Sequence, residues 1–125
     1  MGHRLNGNGR LSINIMRCPG NLSATRMVKM KTRFNQLMNQ NRRFFLLDLR
    51  RARHADLAGL GILVDRIRKI RSLKGDIRLF NLHPEVSEIL RMIGLNQIIE
   101  TYSTEEEARR SFSAKLLGET RPQNL

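Results

Sequence analysis

The sequence is poor in cysteine and aromatic residues and has no long apolar run. Its 125 residues include one cysteine, no tryptophan and 5% aromatic residues. A single cysteine excludes an internal disulfide and a cysteine-built zinc site, and few aromatics argue against stacking of nucleic-acid bases. No apolar run approaches the roughly 18 residues that span a bilayer, and the N-terminus lacks the apolar region of a secretory signal. We therefore expect a soluble, cytoplasmic protein with no transmembrane segment.

Residues that could carry catalysis or hold a metal or cofactor are scattered. The three histidines are too far apart in the sequence to suggest a metal cluster, and Cys18 is better explained as strand packing than as a nucleophile. Gly59 and Gly61 resemble the start of a dinucleotide fingerprint, but Val64 occupies the position of its third glycine. The aspartates have no spacing that singles out an acid/base pair. We therefore expect a protein that is not an enzyme and binds no cofactor or metal.

Acidic residues are missing from the first third of the chain, and the positive charge is placed unevenly. Residues 1–41 carry a net charge of +7 with no acid, residues 42–78 carry +7, and residues 79–125 carry −2, within a total of +12. Such a field attracts nucleic acid, acidic protein faces or anionic lipid. The alternative is that the charge only keeps the surface solvated.

The start of the chain shows turn residues and then a strand pattern. Asn6-Gly7 and Asn8-Gly9 are candidate turns of an N-terminal hairpin. Residues 11–17 alternate apolar and polar side chains, which predicts a half-buried strand that ends before Pro19-Gly20.

Hydrophobic spacing predicts a first helix and a central strand. Ser23 is a candidate N-cap for a helix that runs to about Asn39, with one buried face and one basic face. Residues 44–49 are continuously apolar apart from Asp48, which predicts a strand covered on both sides. The predicted buried face of the helix is Met27, Met30, Phe34 and Leu37, and the basic residues are Arg26, Lys29, Lys31 and Arg33.

The second half alternates helices and strands in the same way. Asp56 is a candidate N-cap for a second helix that ends near Gly75, and residues 76–82 predict a strand. Pro84 suits the first turn of a third helix that Gly94 ends, and Thr104 begins a fourth helix after a short strand within residues 98–102. The predicted buried faces are Leu60, Leu63, Val64, Ile67 and Ile70 in the second helix and Val86, Ile89, Leu90 and Ile93 in the third.

Strands that alternate with helices predict an α/β fold with a mostly parallel central sheet, right-handed crossovers, four helices and the N-terminal hairpin. We expect a single domain over residues 1–117 and a flexible tail over residues 118–125. The side chains chosen as the centre of the core are Phe45, Leu47, Ile67, Leu79 and Ile89.

One stretch carries a family resemblance. Leu47-Asp-Leu49, followed by Asp56-Leu-Ala-Gly-Leu-Gly-Ile-Leu63, resembles the signature region of the STAS domain, the module shared by bacterial anti-sigma factor antagonists and sulfate transporter tails. The resemblance continues through residues 77–82, the Gly94-Leu95 step and the Glu105-Glu-Glu-Ala108 helix start, and covers roughly residues 10–113.

The chain departs from the phosphorylated members of that family at the start of the second helix. Those members follow the Asp with Ser, then Ser or Thr, whereas this chain has Leu57 and Ala58, which cannot accept a phosphate. The family also often has Asp after Gly-x-Leu, where this chain has Ser23. Gly59 and Gly61 are retained, either to admit a partner closely or only to relieve crowding where the helix meets the sheet.

The resemblance implies a bacterial signalling module that regulates transcription by binding protein, in the manner of an anti-sigma factor antagonist without the serine switch. Its implied partner is an ATP-binding anti-sigma factor kinase. Alternatives are the STAS subunit of a lipid-handling ABC transporter, which would contact the transporter ATPase, and a basic domain that binds nucleic acid or anionic lipid. The predicted partner-binding residues are Arg50, Arg51, Arg53, His54, Asp56, Leu57, Ala58, Gly59 and Gly61.

Overall fold

The computed structural model describes residues 12–116. The strands are β1 (Ile13–Arg17), β2 (Phe44–Asp48), β3 (Asp76–Phe80) and β4 (Thr101–Tyr102), and the helices are α1 (Ala24–Asn39), α2 (Leu57–Ser72), α3 (Pro84–Met92) and α4 (Glu105–Leu116). A 3-10 turn, Leu95–Gln97, follows α3. None of the helices in this part of the chain is long and apolar enough to cross a membrane. The predicted N-terminal hairpin and the tail from residue 118 lie outside the described residues.

The four strands form one parallel sheet in the order β1-β2-β3-β4. Each connection between neighbouring strands contains a helix, which parallel pairing requires. In the register, Phe45 of β2 lies opposite Asn14 of β1 and Ile77 of β3. Every residue of β2 is buried, as predicted for a strand with neighbours on both sides and helices on both faces. The predicted single-domain α/β fold with four helices is confirmed.

Helix starts follow the predicted capping residues. The Ser23 hydroxyl accepts a hydrogen bond from the Arg26 amide at 3.2 Å, and the Asp56 carboxylate accepts one from the Gly59 amide at 2.6 Å. Thr104 caps α4 in the same way, by accepting from the Glu107 amide at 3.2 Å. These acceptors satisfy amides that have no partner within their own helix, so they fix where each helix begins.

One face of the sheet packs against α1 and α2 through an entirely apolar cluster. Phe45 and Leu79 lie on this face and are fully buried, as are Leu63 and Ile67 of α2. The Phe34 ring of α1 meets the Phe45 ring edge to face, with 5.3 Å between ring centroids. Four of the five residues predicted at the centre of the core, including Leu47, are therefore fully buried.

The opposite face packs against α4 and combines a smaller apolar cluster with buried charge. The Phe44 and Phe112 rings meet edge to face with centroids 5.3 Å apart. Beside them, Arg78 and Asp76 of β3 are both buried, with Arg78 Nε 3.1 Å from Asp76 Oδ2. The Arg78 guanidinium also donates to the Ser111 hydroxyl at 2.5 Å and lies 4.3 Å from the centroid of the Phe112 ring.

Three helix-face predictions differ from the structure. Ile93 is 43% exposed, because α3 ends at Met92 and the helical period no longer carries the next side chain towards the core. Ile89 and Val64 are half-buried, since they lie at the rim of the cluster rather than at its centre. The strand predicted over residues 76–82 also ends at Phe80, where Asn81 adopts a positive φ of 60° and turns the chain.

Candidate interaction surface

The carboxyl ends of the parallel strands meet at one edge of the sheet, and the residues predicted to bind a partner lie there. The β2–α2 loop, residues 49–56, leaves β2 at this edge and leads into the first turn of α2. The β1–α1 connection, residues 18–23, runs beside it, and Leu22 forms a parallel bridge with Ala55. In α/β sheets the carboxyl edge is the usual place for a binding site, because the loops converge there.

The backbone of the β2–α2 loop is held mainly by the β1–α1 connection. The Asn21 side-chain oxygen accepts hydrogen bonds from the amides of Arg53 at 2.9 Å and His54 at 3.1 Å. The Leu22 amide donates to the His54 carbonyl at 3.0 Å, and the Leu22 carbonyl accepts from the Asp56 amide at 3.1 Å. The loop therefore has a fixed shape, although it forms no helix or strand of its own.

In the β2–α2 loop, two alanines face the core and the basic side chains face the solvent. Ala52 and Ala55 are buried, so these positions anchor the loop against the core. Arg51, Arg53 and His54 are exposed. The result is a basic surface on a loop whose backbone is fixed.

A buried carboxylate organises the base of the loop. Asp48, the last residue of β2, accepts hydrogen bonds from the Arg50 amide at 2.9 Å and the Asn81 side-chain amide at 3.2 Å. Its Oδ2 also lies 3.3 Å from the Arg50 guanidinium and 3.7 Å from that of Arg17. Burial acts to raise the pKa of Asp48, but the hydrogen bonds from Arg50 and Asn81 and the charge of Arg50 outweigh burial and lower it. Asp48 is therefore ionised and ties Arg50 to the sheet.

His83 links the loop to the start of α3. It is the N-cap residue of that helix, but its side chain makes no capping hydrogen bond. Its Nε2 instead lies 2.5 Å from the Arg50 carbonyl oxygen. Since Asn81 binds Asp48 two residues earlier, the turn after β3 contacts the base of the loop at two points.

The first turn of α2 presents an apolar surface next to the basic loop. Leu57 is 72% exposed, and Ala58 is exposed beside it. Gly61 lies one helical turn after Leu57 and therefore on the same side of α2. Leu57 is thus on the surface and not in the core, which leaves an uncovered large apolar side chain at a helix N-terminus.

The two glycines of α2 differ in their surroundings. A Cβ added to Gly59 would lie 2.2 Å from the Leu22 carbonyl oxygen, so this glycine lets α2 pack against the β1–α1 connection. A Cβ added to Gly61 would meet no atom within 4 Å, and Gly61 is exposed. Relief of crowding therefore accounts for Gly59, whereas nothing within the described chain requires glycine at position 61.

Eight of the nine predicted partner-binding residues are exposed, and Gly59 is the buried exception. Three residues that position them were not predicted from the sequence: Asn21, Asn81 and His83. Each lies in a connection at the carboxyl edge of the sheet, so predicting which loops converge there could have identified all three. The role of the nine residues in binding stays a prediction.

Possible metal ligands are dispersed in the described part of the chain, and Cys18 lies inside the protein. Within residues 12–116, no group of three or more His, Cys, Asp or Glu side chains could hold a metal ion. Cys18 is buried, and its thiol donates to the Gly20 carbonyl at 3.0 Å. Burial raises the pKa of this thiol, which lowers the fraction present at neutral pH as thiolate, the nucleophilic form. The described residues at this edge form an exposed surface that is basic on the β2–α2 loop and apolar at the start of α2.

Solved structures share the fold. A proposed anti-sigma factor antagonist from Thermotoga maritima has a TM-score of 0.74 at 21% identity, over 88% of this chain and 92% of that one. The phosphorylated form of the Bacillus cell fate determinant SpoIIAA has a TM-score of 0.59 at 21% identity, over 78% of this chain and 88% of that one. The STAS domain of a SulP transporter from Vibrio cholerae has a TM-score of 0.69 at 15% identity, over 92% of this chain and 94% of that one.

Sequence comparison extends this likeness from fold to family. Comparison with curated proteins gives no significant match. The family model of the STAS domain, however, matches residues 5–108, which is most of the chain and includes the β2–α2 loop and the start of α2. The chain therefore belongs to the STAS domain family.

Proposed function

We propose that the chain is a protein-interaction module that acts as an anti-sigma factor antagonist and lacks the phosphorylatable serine. The observation that carries this proposal is the exposed Leu57 at the start of α2, beside a basic loop of fixed shape. A preformed surface loses little conformational entropy on binding, and its apolar part contributes affinity when a partner covers it. The arginines of the loop favour a partner with an acidic rim.

The absence of a serine switch follows from the residues at the start of α2. Leu57 and Ala58 have no hydroxyl, and they stand where the phosphorylated members of the family have Ser, then Ser or Thr. The hydroxyl of Ser23, nearby in the β1–α1 connection, is engaged as the N-cap of α1. Binding would therefore be controlled by the amount of the protein or by the state of its partner.

The proposed partner is an ATP-binding anti-sigma factor kinase in the bacterial cytoplasm. Two alternatives make different predictions. A STAS subunit of a lipid-handling ABC transporter would co-purify with a membrane ATPase complex, and the SulP domain among the structural neighbours is the observation that keeps a transporter role open. A polyanion-binding domain would bind nucleic acid with an affinity that falls steeply with salt.

The decisive experiment places a charge on the proposed contact. Leu57→Glu adds a carboxylate at a helix N-terminus, where the helix dipole tolerates it, so the melting temperature should change little. Binding to the anti-sigma factor kinase should weaken by roughly five- to a hundredfold, since the carboxylate must be desolvated at an apolar contact, which costs about 1–3 kcal/mol. Leu57→Ala removes contact area without charge and should weaken binding less.

Met92→Glu is the matched control for Leu57→Glu. Met92 is also 72% exposed, but it lies at the end of α3, near the opposite edge of the sheet. Met92→Glu should leave the affinity for the kinase unchanged. It should destabilise the protein by up to about 1 kcal/mol, because a carboxylate is unfavourable at a helix C-terminus. A folded Leu57→Glu protein with wild-type affinity would remove this surface from the interface.

Gly61 gives a second test in which folding and binding move in opposite directions. Gly61→Ala should stabilise the protein by about 0.4–1 kcal/mol, because alanine favours the helix and the added methyl group meets no atom. The same methyl group should weaken the complex if the partner packs closely against the backbone at this point. Equal or tighter binding by Gly61→Ala would contradict close contact at Gly61.

The proposed lack of phosphorylation has its own test. The protein is incubated with the kinase and ATP, and any phosphate is located by mass spectrometry. We expect none at stoichiometric level. Stoichiometric phosphate on Ser23 or another hydroxyl near the loop would contradict the proposed absence of a switch. The interaction surface is tested separately, by the affinities of the Leu57 and Gly61 variants.

A further inference from the structure

A groove lies between the carboxyl end of β1 and the first half of α1. Four cationic side chains line it, namely Arg17, Arg26, Lys29 and Arg33, together with apolar side chains that include Met16 and Met30. None of the described residues that line the groove is acidic. Its lining includes no residue of the exposed apolar start of α2.

Three of these cations, Arg26, Lys29 and Arg33, have no carboxylate partner within residues 12–116. Arg17 contacts Asp48, and Arg26 donates to the Asn21 carbonyl at 3.0 Å. Lys29 and Arg33 are exposed, and the only side-chain hydrogen bond of Arg33 within these residues goes to the side-chain amide oxygen of Gln36 at 3.5 Å. Helix α1 itself contains no aspartate or glutamate. The groove thus concentrates positive charge that the described part of the chain does not neutralise.

The cations of α1 follow a helical spacing. Arg26, Lys29 and Arg33 are three and four residues apart, which puts them along one side of the helix. The part of α1 that lines the groove, residues 25–33, is about 12 Å long, or roughly two helical turns. A second helix with carboxylates three or four residues apart would match this row of charges. Its apolar side would cover the half-buried Met16 and the small exposed part of Met30, which is 7% exposed.

We propose that the groove binds an acidic amphipathic helix of a protein partner. The apolar lining favours this occupant over nucleic acid, because phosphate groups gain nothing from contact with methionine. The groove also meets the surface proposed above, since Arg17 of the groove and Arg50 of the β2–α2 loop contact the same Asp48 oxygen. One partner could therefore contact both, but the groove proposal does not depend on that function.

The methionines allow a direct test. The protein is labelled with 13C at the methionine methyl groups and titrated with a 14-residue helical peptide that carries glutamates on one side and leucines on the other. We expect shifts of the Met16 and Met30 signals and none for Met92, which is exposed on α3. Absence of any shift at Met16 and Met30 at millimolar peptide would overturn the proposal.

Charge reversal tests the role of the cations. Lys29→Glu/Arg33→Glu should weaken peptide binding about tenfold or more, whereas Arg68→Glu/Lys69→Glu on the exposed face of α2 should weaken it less than about threefold. The two double variants change the net charge equally. Equal losses of peptide affinity in the two double variants would show that only the net charge of the protein matters, and this would overturn the proposed site.

Other probes test the nature of the occupant. A polyglutamate of the same length should bind at least about tenfold more weakly than the helical peptide, and so should the same peptide with its two central residues replaced by proline. A DNA duplex of 20 base pairs and vesicles rich in phosphatidylglycerol should shift Met16 and Met30 less than the peptide does. Larger shifts with DNA or vesicles would assign the groove to a different class of ligand.

Discussion

The two faces of the sheet are built by different means. The face under α1 and α2 is entirely apolar, with Phe45, Leu79 and Ile67 fully buried. The face under α4 has a smaller apolar cluster and also buries the ion pair of Asp76 and Arg78. The first face depends on burial of apolar area, whereas the second also depends on geometry, because a buried charge is tolerated only when its partners are correctly placed.

This difference bears on how the two faces respond to change. An apolar cluster can adjust to a lost methyl group by small shifts of its neighbours, so its loss of stability is graded. Arg78 has no comparable freedom, because four partners hold it: the carboxylates of Asp76 and Glu100, the Ser111 hydroxyl and the Phe112 ring. We therefore expect the loss of stability from a truncation on the first face to be additive with the loss from a distant substitution. Substitutions around Arg78 should instead have strongly coupled effects on stability.

The largest expected effect comes from the two adjacent phenylalanines of β2, which point to opposite faces. Phe45→Ala should destabilise the protein by about 3–5 kcal/mol, a large share of a typical domain's stability. Phe44→Ala should fall at the lower end of that range, since Phe44 is 6% exposed and lies in the smaller cluster. Chemical denaturation measures both, with Arg68→Ala, expected within about 0.5 kcal/mol, as the surface control. A larger loss for Phe44→Ala would reverse the proposed ranking of the faces.

The second prediction tests the ion pair under α4. Arg78→Met should cost about 3 kcal/mol, because it leaves Asp76 buried with Arg71 as its remaining cation and deprives Ser111 of a donor. Adding Asp76→Asn should cost less in this background than it does alone, since the uncompensated charge is then removed. Denaturation of the two single variants and the double variant gives the coupling. Simple additivity would show that the pair does not act as a unit.

The third prediction concerns the glycines of α2 in folding alone. Gly59→Ala should cost about 1–3 kcal/mol, because its methyl group would meet the Leu22 carbonyl oxygen at 2.2 Å and the backbone must move. Gly61→Ala, which should be stabilising, is the matched control on the same helix. Thermal unfolding compares the two, and a neutral Gly59→Ala would mean that α2 does not depend on close contact with the β1–α1 connection.

The smallest expected effect is the pH dependence due to Asp48, on the same side of β2 as Phe44. Its pKa is lowered in the folded protein, so folding favours the ionised form. This contribution is complete above the unfolded pKa of about 4 and is lost as the pH falls through the lower folded pKa. Denaturation from pH 6 to pH 2.5 should show a shallower loss for Asp48→Asn than for the wild type. Parallel curves would contradict a stabilising role of the carboxylate.

The sequence predicts the first face better than the second for a physical reason. Hydrophobic spacing identified Met27, Phe34 and Ile67 as buried because apolar burial repeats with the helical period. Arg78 has no such signature. Asp76 lies two residues before it on β3, but Ser111 and Phe112, which complete its surroundings, reach it only in the folded chain. The N-caps Ser23 and Asp56 were predicted correctly because their hydrogen bonds stay within one helical turn, so the local sequence identifies them.

In the candidate surface, too, local features were predicted from the sequence and long-range contacts were not. The exposed side chains of the β2–α2 loop were identified from the sequence because they follow a strand and precede a capped helix. Asn21 was not identified as a residue that holds the loop, because its hydrogen bonds reach Arg53 and His54 across 32 and 33 positions of sequence. Contacts of that range leave no local pattern.

The bonds from Asn21 have a consequence for how the surface could change over evolution or in the laboratory. They engage only the backbone amides of the loop, so the shape of the loop does not depend on the side chains at positions 51, 53 and 54. Those three positions can therefore be randomised together while Asn21, Ala52 and Ala55 stay fixed. The loop is in this sense a display scaffold, in which partner preference can be reselected without redesigning the fold.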